Sequence, residues 1–208
     1  RGREPSWRGP MNGTGAAIRH GFAVCVGGIS GVGKTTLLQR HVAGEPRDQQ
    51  VTGSSVIRQI IAPDGFEALD RWPSARREQV REESIARLVA MRAACPGRLL
   101  IDGHFTLRNR GTGALESVFT PGDRGFYQAL VLVDAAAVQV MAQRTRDETR
   151  RRNETDADVE AHLEFERAWA HRLHEEMGVP LLVIADADLE RRLTALRAFF
   201  GRVTGGGG

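Results

Sequence analysis

Lysine is almost absent from this chain. Of its 29 lysines and arginines in 208 residues, one is a lysine, Lys34. Cysteine is nearly as scarce: Cys25 and Cys95 stand alone in apolar surroundings. Two such residues give neither a metal-binding spacing nor a disulfide framework, and both read as buried thiols. Aromatic residues make up 6% of the chain, with one tyrosine. Little aromatic surface therefore interleaves with the arginine clusters Arg76-Arg77, Arg150-Arg151-Arg152 and Arg191-Arg192. Stacking on bases needs such surface, so nucleic acid is not expected as a partner; bidentate contacts to a small anion suit these arginines better. The net charge is only +3. No apolar run approaches the ~18 residues of a membrane span. Arg1 to Pro10 lacks the apolar segment of a signal peptide, Met11 is a candidate start, and a cytoplasmic location is expected. Residues 1–20 read as a flexible arm or a leader remnant and 204–208 as a flexible tail. Composition leaves the oligomeric state open.

The lone lysine sits in the most informative stretch of the sequence. Gly28-Ile29-Ser30-Gly31-Val32-Gly33-Lys34-Thr35, with Thr36 next, follows an apolar run from Phe22 to Val26 and precedes a helix-like run from Leu37 to Val42. Strand, glycine-rich loop and helix form the context of a phosphate-binding P-loop. Gly28, Gly31 and Gly33 allow positive φ and close backbone approach to an anion. Successive N–H groups of Ser30, Gly31, Val32, Gly33, Lys34, Thr35 and Thr36 then converge at the positive end of the helix dipole. Lys34 supplies a compact charge for the β- and γ-phosphates, where the planar fork of arginine is a poor substitute. The Thr35 hydroxyl suits Mg²⁺.

The rest of the chain reads as strands alternating with helices. Expected strands are Phe22–Gly27, Gln49–Thr52, Leu99–Ile101, Ala129–Val133 and Leu181–Ile184. Helices are expected over 33–43, from Ser54 and Ser55 as caps to Ile61, from a Ser74 cap to Ala94, over 135–147, 156–177 and 188–203. Residues 103–124 read as a long loop or broken helix. The pattern predicts an α/β fold with a parallel sheet covered on both faces and ligands at the carboxyl ends of its strands. One domain over 21–203 is expected.

Several polar residues fall where such a fold places chemistry. Asp102 ends an apolar strand, in the pattern of an acid that holds the Mg²⁺ shell near Thr35. Asp134 ends the next strand and reads as an N-cap. Arg146, Arg150 and Arg152 lie between two helices, as a lid that neutralises charge on a transferring phosphoryl group. Ser54, Arg58 and Arg108 are candidates for binding an acceptor. His104 is open between bonding the acceptor, serving as a general base and fixing its loop. The other histidines show no metal-like pairing with acids.

These motifs together resemble the nucleoside monophosphate kinases, and within them the archaeal-type adenylate kinases. The resemblance spans about Ala23 to Phe200. It rests on the P-loop, on Ile101-Asp102-Gly103-His104, and on Arg146-Asp147-Glu148-Thr149-Arg150-Arg151-Arg152-Asn153. It implies a five-stranded parallel sheet in the order 2-3-1-4-5, an acceptor-binding segment at about 53–95 and a short lid at about 144–156. It further implies transfer of the γ-phosphoryl group of ATP, with Mg²⁺, to a nucleoside monophosphate. Thr52-Gly53-Ser54-Ser55-Val56-Ile57-Arg58 departs from the family's acceptor pattern by one extra residue. Two other functions stay open: a P-loop kinase acting on a hydroxyl of a small molecule, and an ATP-dependent switch or assembly factor.

Overall fold

The computed structural model describes residues 21–109, 112–146 and 154–205. A five-stranded parallel sheet forms its middle layer. Its strands are β1 (Phe22–Gly27), β2 (Gln49–Thr52), β3 (Arg98–Asp102), β6 (Ala129–Val133) and β7 (Leu181–Ile184), in the order β2-β3-β1-β6-β7. Counted within this sheet alone, the order is the expected 2-3-1-4-5. The remaining two strands, β4 (Thr106–Arg108) and β5 (Leu115–Ser117), form a separate antiparallel hairpin. The helices are α1 (Lys34–Gly44), α2 (Gly53–Ile61), α3 (Phe66–Arg71), α4 (Ser74–Ala94), α5 (Pro121–Phe126), α6 (Ala137–Arg146), α7 (Asp156–Met177) and α8 (Leu189–Gly205).

Strand periodicity divides the core in two. Val24, Val26, Leu100, Val131 and Val133 face α1 and α8, packing against Leu37, Leu38, Leu196 and Phe200. Their neighbours Ala23, Cys25, Leu99, Ile101, Leu130 and Leu132 face the other way, against Val56, Leu88, Ala170 and Leu173. Side chains alternate across a strand, so a sheet covered by helices on both faces needs continuous apolar runs such as these. Both cysteines are buried thiols, as expected. The register pairs Val26 with Asp102 and Thr52 with Asp102. It therefore brings the carboxyl ends of β1, β2 and β3 to one edge, where the P-loop leaves β1.

Four local expectations need correction. The segment 103–124 is structured: β4 and β5 pair Thr106 with Ser117, and α5 starts at a capping box in which Thr120 and Asp123 bond reciprocally, with Pro121 following. That Thr-Pro-x-Asp signal stood in the sequence. Ser54 and Ser55 lie inside α2, whose N-cap is Thr52; the Ser55 hydroxyl donates back to the Thr52 carbonyl at 2.7 Å. Ser74 likewise opens α4 from within, behind Pro73. Asp134 caps no helix, since α6 begins at Ala137. One of its carboxylate oxygens accepts the Ala135 N–H at 2.9 Å and the other the Arg167 Nε–H at 2.7 Å. The helix α3, between a glycine turn and Trp72, was not expected at all.

Candidate active site

The loop from Gly28 to Gly33 is held at fixed points by side chains from distant elements. Gly28, Gly31 and Gly33 have φ of 137°, 100° and 90°. At Gly28 the need for glycine is steric as well, because a Cβ there would lie 2.3 Å from the Val133 carbonyl oxygen. The loop's carbonyls are taken by cations. Lys34 Nζ donates to Gly28 O at 2.5 Å and to Ile29 O at 3.2 Å. Arg144 Nε donates to Ser30 O at 2.9 Å, and Arg192 donates to Val32 O at 2.7 Å. Three glycines at positive φ give the loop the backbone geometry from which anion-binding nests are built.

A cavity of about 380 Å³ opens over this loop. Ser30, Gly31, Gly33, Lys34, Thr35 and Thr36 form one side. Thr52, Ser54, Asp102, Gly103 and His104 also line the cavity, and Gln143 and Arg144 close it from α6. Across the floor, the Thr35 hydroxyl donates to Asp102 Oδ2 at 2.6 Å. Asp102 is 6% exposed. Val32 packs its side chain into the core and does not line the cavity. Burial pushes the pKa of Lys34 below the usual lysine range, against the pull of the Asp102 and Glu166 carboxylates.

The other expected site residues are placed elsewhere. Arg58 lies beyond this cavity, on a second hollow of about 600 Å³ that it shares with Phe66 and Arg71. Its guanidinium sits 5.7 Å from the centre of the Phe66 ring. Ser54 and Arg58 are one turn apart on α2, so the two hollows adjoin one helix face. Arg108 is tied to its own hairpin and to α7, donating to Gly113 O at 3.0 Å and Asp158 O at 3.2 Å; it does not line the cavity. Arg146 ends α6 exposed and outside the cavity lining. Arg150 and Arg152 lie outside the described residues.

Comparison with known proteins fits this geometry. A family profile described as an AAA domain matches residues 27–162, more than half of the chain. The chain belongs to this AAA-domain family. No curated protein matches it. Among solved structures, 92% of this AAA-domain chain aligns with 98% of shikimate kinase from Acinetobacter baumannii, at TM-score 0.58 and 13% identity. A sugar kinase from Janibacter sp. HTCC2649 aligns at TM-score 0.52 and 16% identity, over 86% of this chain and 94% of its own. Shikimate kinase from Bacteroides thetaiotaomicron aligns at TM-score 0.53 and 12% identity, over 86% and 98%. The chain therefore shares the α/β fold of these solved kinases.

The residues present suit a magnesium nucleotide. The loop's glycines take positive φ, and the Thr35 hydroxyl and the Asp102 carboxylate stand together beside it. Among the described residues no group of three or more His, Cys, Asp or Glu gathers around a metal position. A cation here would be held by these two residues together with phosphate oxygens. Also among the described residues, no helix is long and apolar enough to cross a membrane.

Three residues that brace the AAA-domain loop escaped the sequence reading. Arg144 stood inside the arginine-dense run, but the motif pointed to Arg146; which arginine faces the cavity depends on its angle around α6. Arg192 carried no local signal. Glu166 did carry one: it is an acid in the apolar stripe formed by Val159, Leu163, Ala170 and Leu173.

Proposed function

We propose that this chain is an ATP-dependent phosphotransferase, moving the γ-phosphoryl group of Mg·ATP to a nucleoside monophosphate. The observation that supports the reading is the Thr35–Asp102 hydrogen bond of 2.6 Å beside the glycine-rich loop, a hydroxyl and a carboxylate that together suit a hard cation. The monophosphate as acceptor rests on the resemblance of Asp102-Gly103-His104 and of the 146–153 run to the nucleoside monophosphate kinases. The hollow lined by Arg58 and Arg71 supplies positive charge one helical turn beyond Ser54.

In this reading Lys34 turns its ammonium from the Gly28 and Ile29 carbonyls toward the β- and γ-phosphates. Arg144 anchors the loop and offers positive charge from the α6 side, with Arg146, Arg150 and Arg152 completing a lid. Thr35 and Asp102 would hold the metal, which when bound would offset charge on the phosphates. An acceptor phosphate is already anionic, so alignment and charge neutralisation suffice and no strong base is needed. Residues 21–203 act as one domain, with acceptor recognition over about 53–95.

A second reading is favoured by one observation: His104 and Asp102 both line the cavity over the P-loop. A hydroxyl acceptor needs a base, and His104 would be that base. A coupled assay of Mg·ATP consumption across nucleoside monophosphates, with small hydroxyl compounds as a second panel, separates the two. Turnover that requires a monophosphate, and that His104→Ala lowers only mildly, supports the lead reading. Turnover with a hydroxyl compound alone, abolished in His104→Ala, replaces it with the second.

A further inference from the structure

We propose that Glu166 is a positioning residue that locks the P-loop to the turn following Asp102; this rests on the phosphotransferase reading above. Glu166 lies on α7 and is 1% exposed. Its Oε1 accepts the Gly28 N–H and the Phe105 N–H, each at 2.9 Å, and its Oε2 accepts the Thr106 hydroxyl. Gly28 opens the P-loop. Phe105 and Thr106 directly follow His104. One carboxylate on a third element therefore gathers donors from the start of the P-loop and from the segment that directly follows the cavity-lining Asp102, Gly103 and His104.

Packing alone calls for no acid at this place. The surrounding stripe of α7 is apolar, and a buried carboxyl group is costly unless its oxygens accept hydrogen bonds. Burial pushes the Glu166 carboxyl above its ordinary range, while the Thr106 hydroxyl and the Phe105 and Gly28 N–H groups pull it back. A second contact joins the same two segments: a Cβ on Gly27 would lie 2.3 Å from the Phe105 ring. Gly28 then carries the link onward. Its N–H is held by Glu166, and its carbonyl accepts from Lys34 Nζ at 2.5 Å. These two groups lie in adjacent peptide planes joined at the Gly28 Cα, so a displacement of the carboxylate reaches the Lys34 ammonium through the backbone torsions of Gly28, whose φ is 137°.

The test compares wild type with Glu166→Asp, Glu166→Gln and Thr106→Val. Three quantities are read: the Kd for Mg·ATP by calorimetry, the melting temperature without nucleotide, and turnover with the acceptor found above or, failing one, acceptor-free ATP hydrolysis. Aspartate keeps the charge but withdraws the acceptor by one methylene. It should raise Kd roughly 10-fold and lower kcat by about 10²-fold, the scale of a misplacement near 1 Å. Glutamine keeps an acceptor for both N–H groups and a donor for the Thr106 oxygen, and should recover most of both losses. Thr106→Val should lower the melting temperature yet leave Kd for Mg·ATP near wild type, because the Gly28 bond survives. Wild-type Kd and kcat in Glu166→Asp, a glutamine variant as damaged as aspartate, or a Kd that merely follows melting temperature across the set would each overturn the assignment. A wild-type protein that binds no Mg·ATP would instead refute the phosphotransferase reading, and this inference with it.

Discussion

Replacing Lys34 by methionine separates function from stability in a way the structure allows to be estimated. The ammonium is buried, and burial pushes its pKa below the usual lysine range. For a base, a folded-state pKa below the unfolded value means that the charge costs the folded state free energy. Stability then rises as pH climbs from the folded pKa toward the unfolded value near 10.4, where the cost is relieved. Methionine removes that cost, several kcal/mol for a desolvated ion. It also removes the bonds to Gly28 O and Ile29 O, at 2.5 Å and 3.2 Å. Charged donors of this kind contribute about 1.5–3 kcal/mol each. The two effects oppose each other at similar size, so Lys34→Met should change stability by no more than about 2 kcal/mol, or roughly 4–8 °C in Tm for a chain of this length. Activity has no such compensation. Loss of one preorganised charge at a transferring phosphoryl group lowers kcat by about 10²–10³-fold. Thermal unfolding without nucleotide, beside phosphotransfer kinetics, reads both. A drop in stability above about 4 kcal/mol would make the ammonium a structural post, and turnover within tenfold of wild type would remove Lys34 from the chemistry.

Two further predictions concern residues that the structure singles out. Asp48, 6% exposed, accepts from His41 Nε2 at 2.9 Å, Arg98 Nε at 2.8 Å and the Arg98 N–H at 2.9 Å. Burial raises its pKa, but the His41 and Arg98 bonds outweigh burial and hold it below the usual carboxylate range. Its contribution is therefore present above about pH 4 and lost as pH falls through the lower folded value. Asp48→Asn should cost about 3 kcal/mol or more in urea unfolding at pH 7, with the gap to wild type closing in acid; a gap independent of pH would contradict this. Arg144→Ala, which frees the Ser30 carbonyl and the Glu154 carboxylate, should lower kcat/KM for ATP by roughly 10²-fold. Arg144→Lys should fail to restore it, because an ammonium cannot span both acceptors as the planar fork does. Full recovery with lysine would reduce Arg144 to a plain charge.

The sequence by itself determined what short range and periodicity can encode. A glycine pattern with its one lysine marked the P-loop, because backbone freedom and a compact charge are local requirements. Apolar runs marked four of the five strands of the central sheet, whereas the edge strand β2 (Gln49–Thr52) is half-exposed and carries no such run. Asp102 was legible because it terminates such a run. What only the tertiary structure decided is where lone polar side chains go. Arg144 was passed over for Arg146 because two residues on one helix differ by about 200° in direction, which decides the facing residue and leaves no trace in composition. Arg108 and Arg58 stood near the site in sequence, but only packing shows that Arg108 is tied to its hairpin and α7 and that Arg58 lines a second hollow rather than the cavity over the P-loop. Glu166 and Arg192 meet the loop across 138 and 160 residues, and contacts that distant exist only once the sheet and its helices have closed around them.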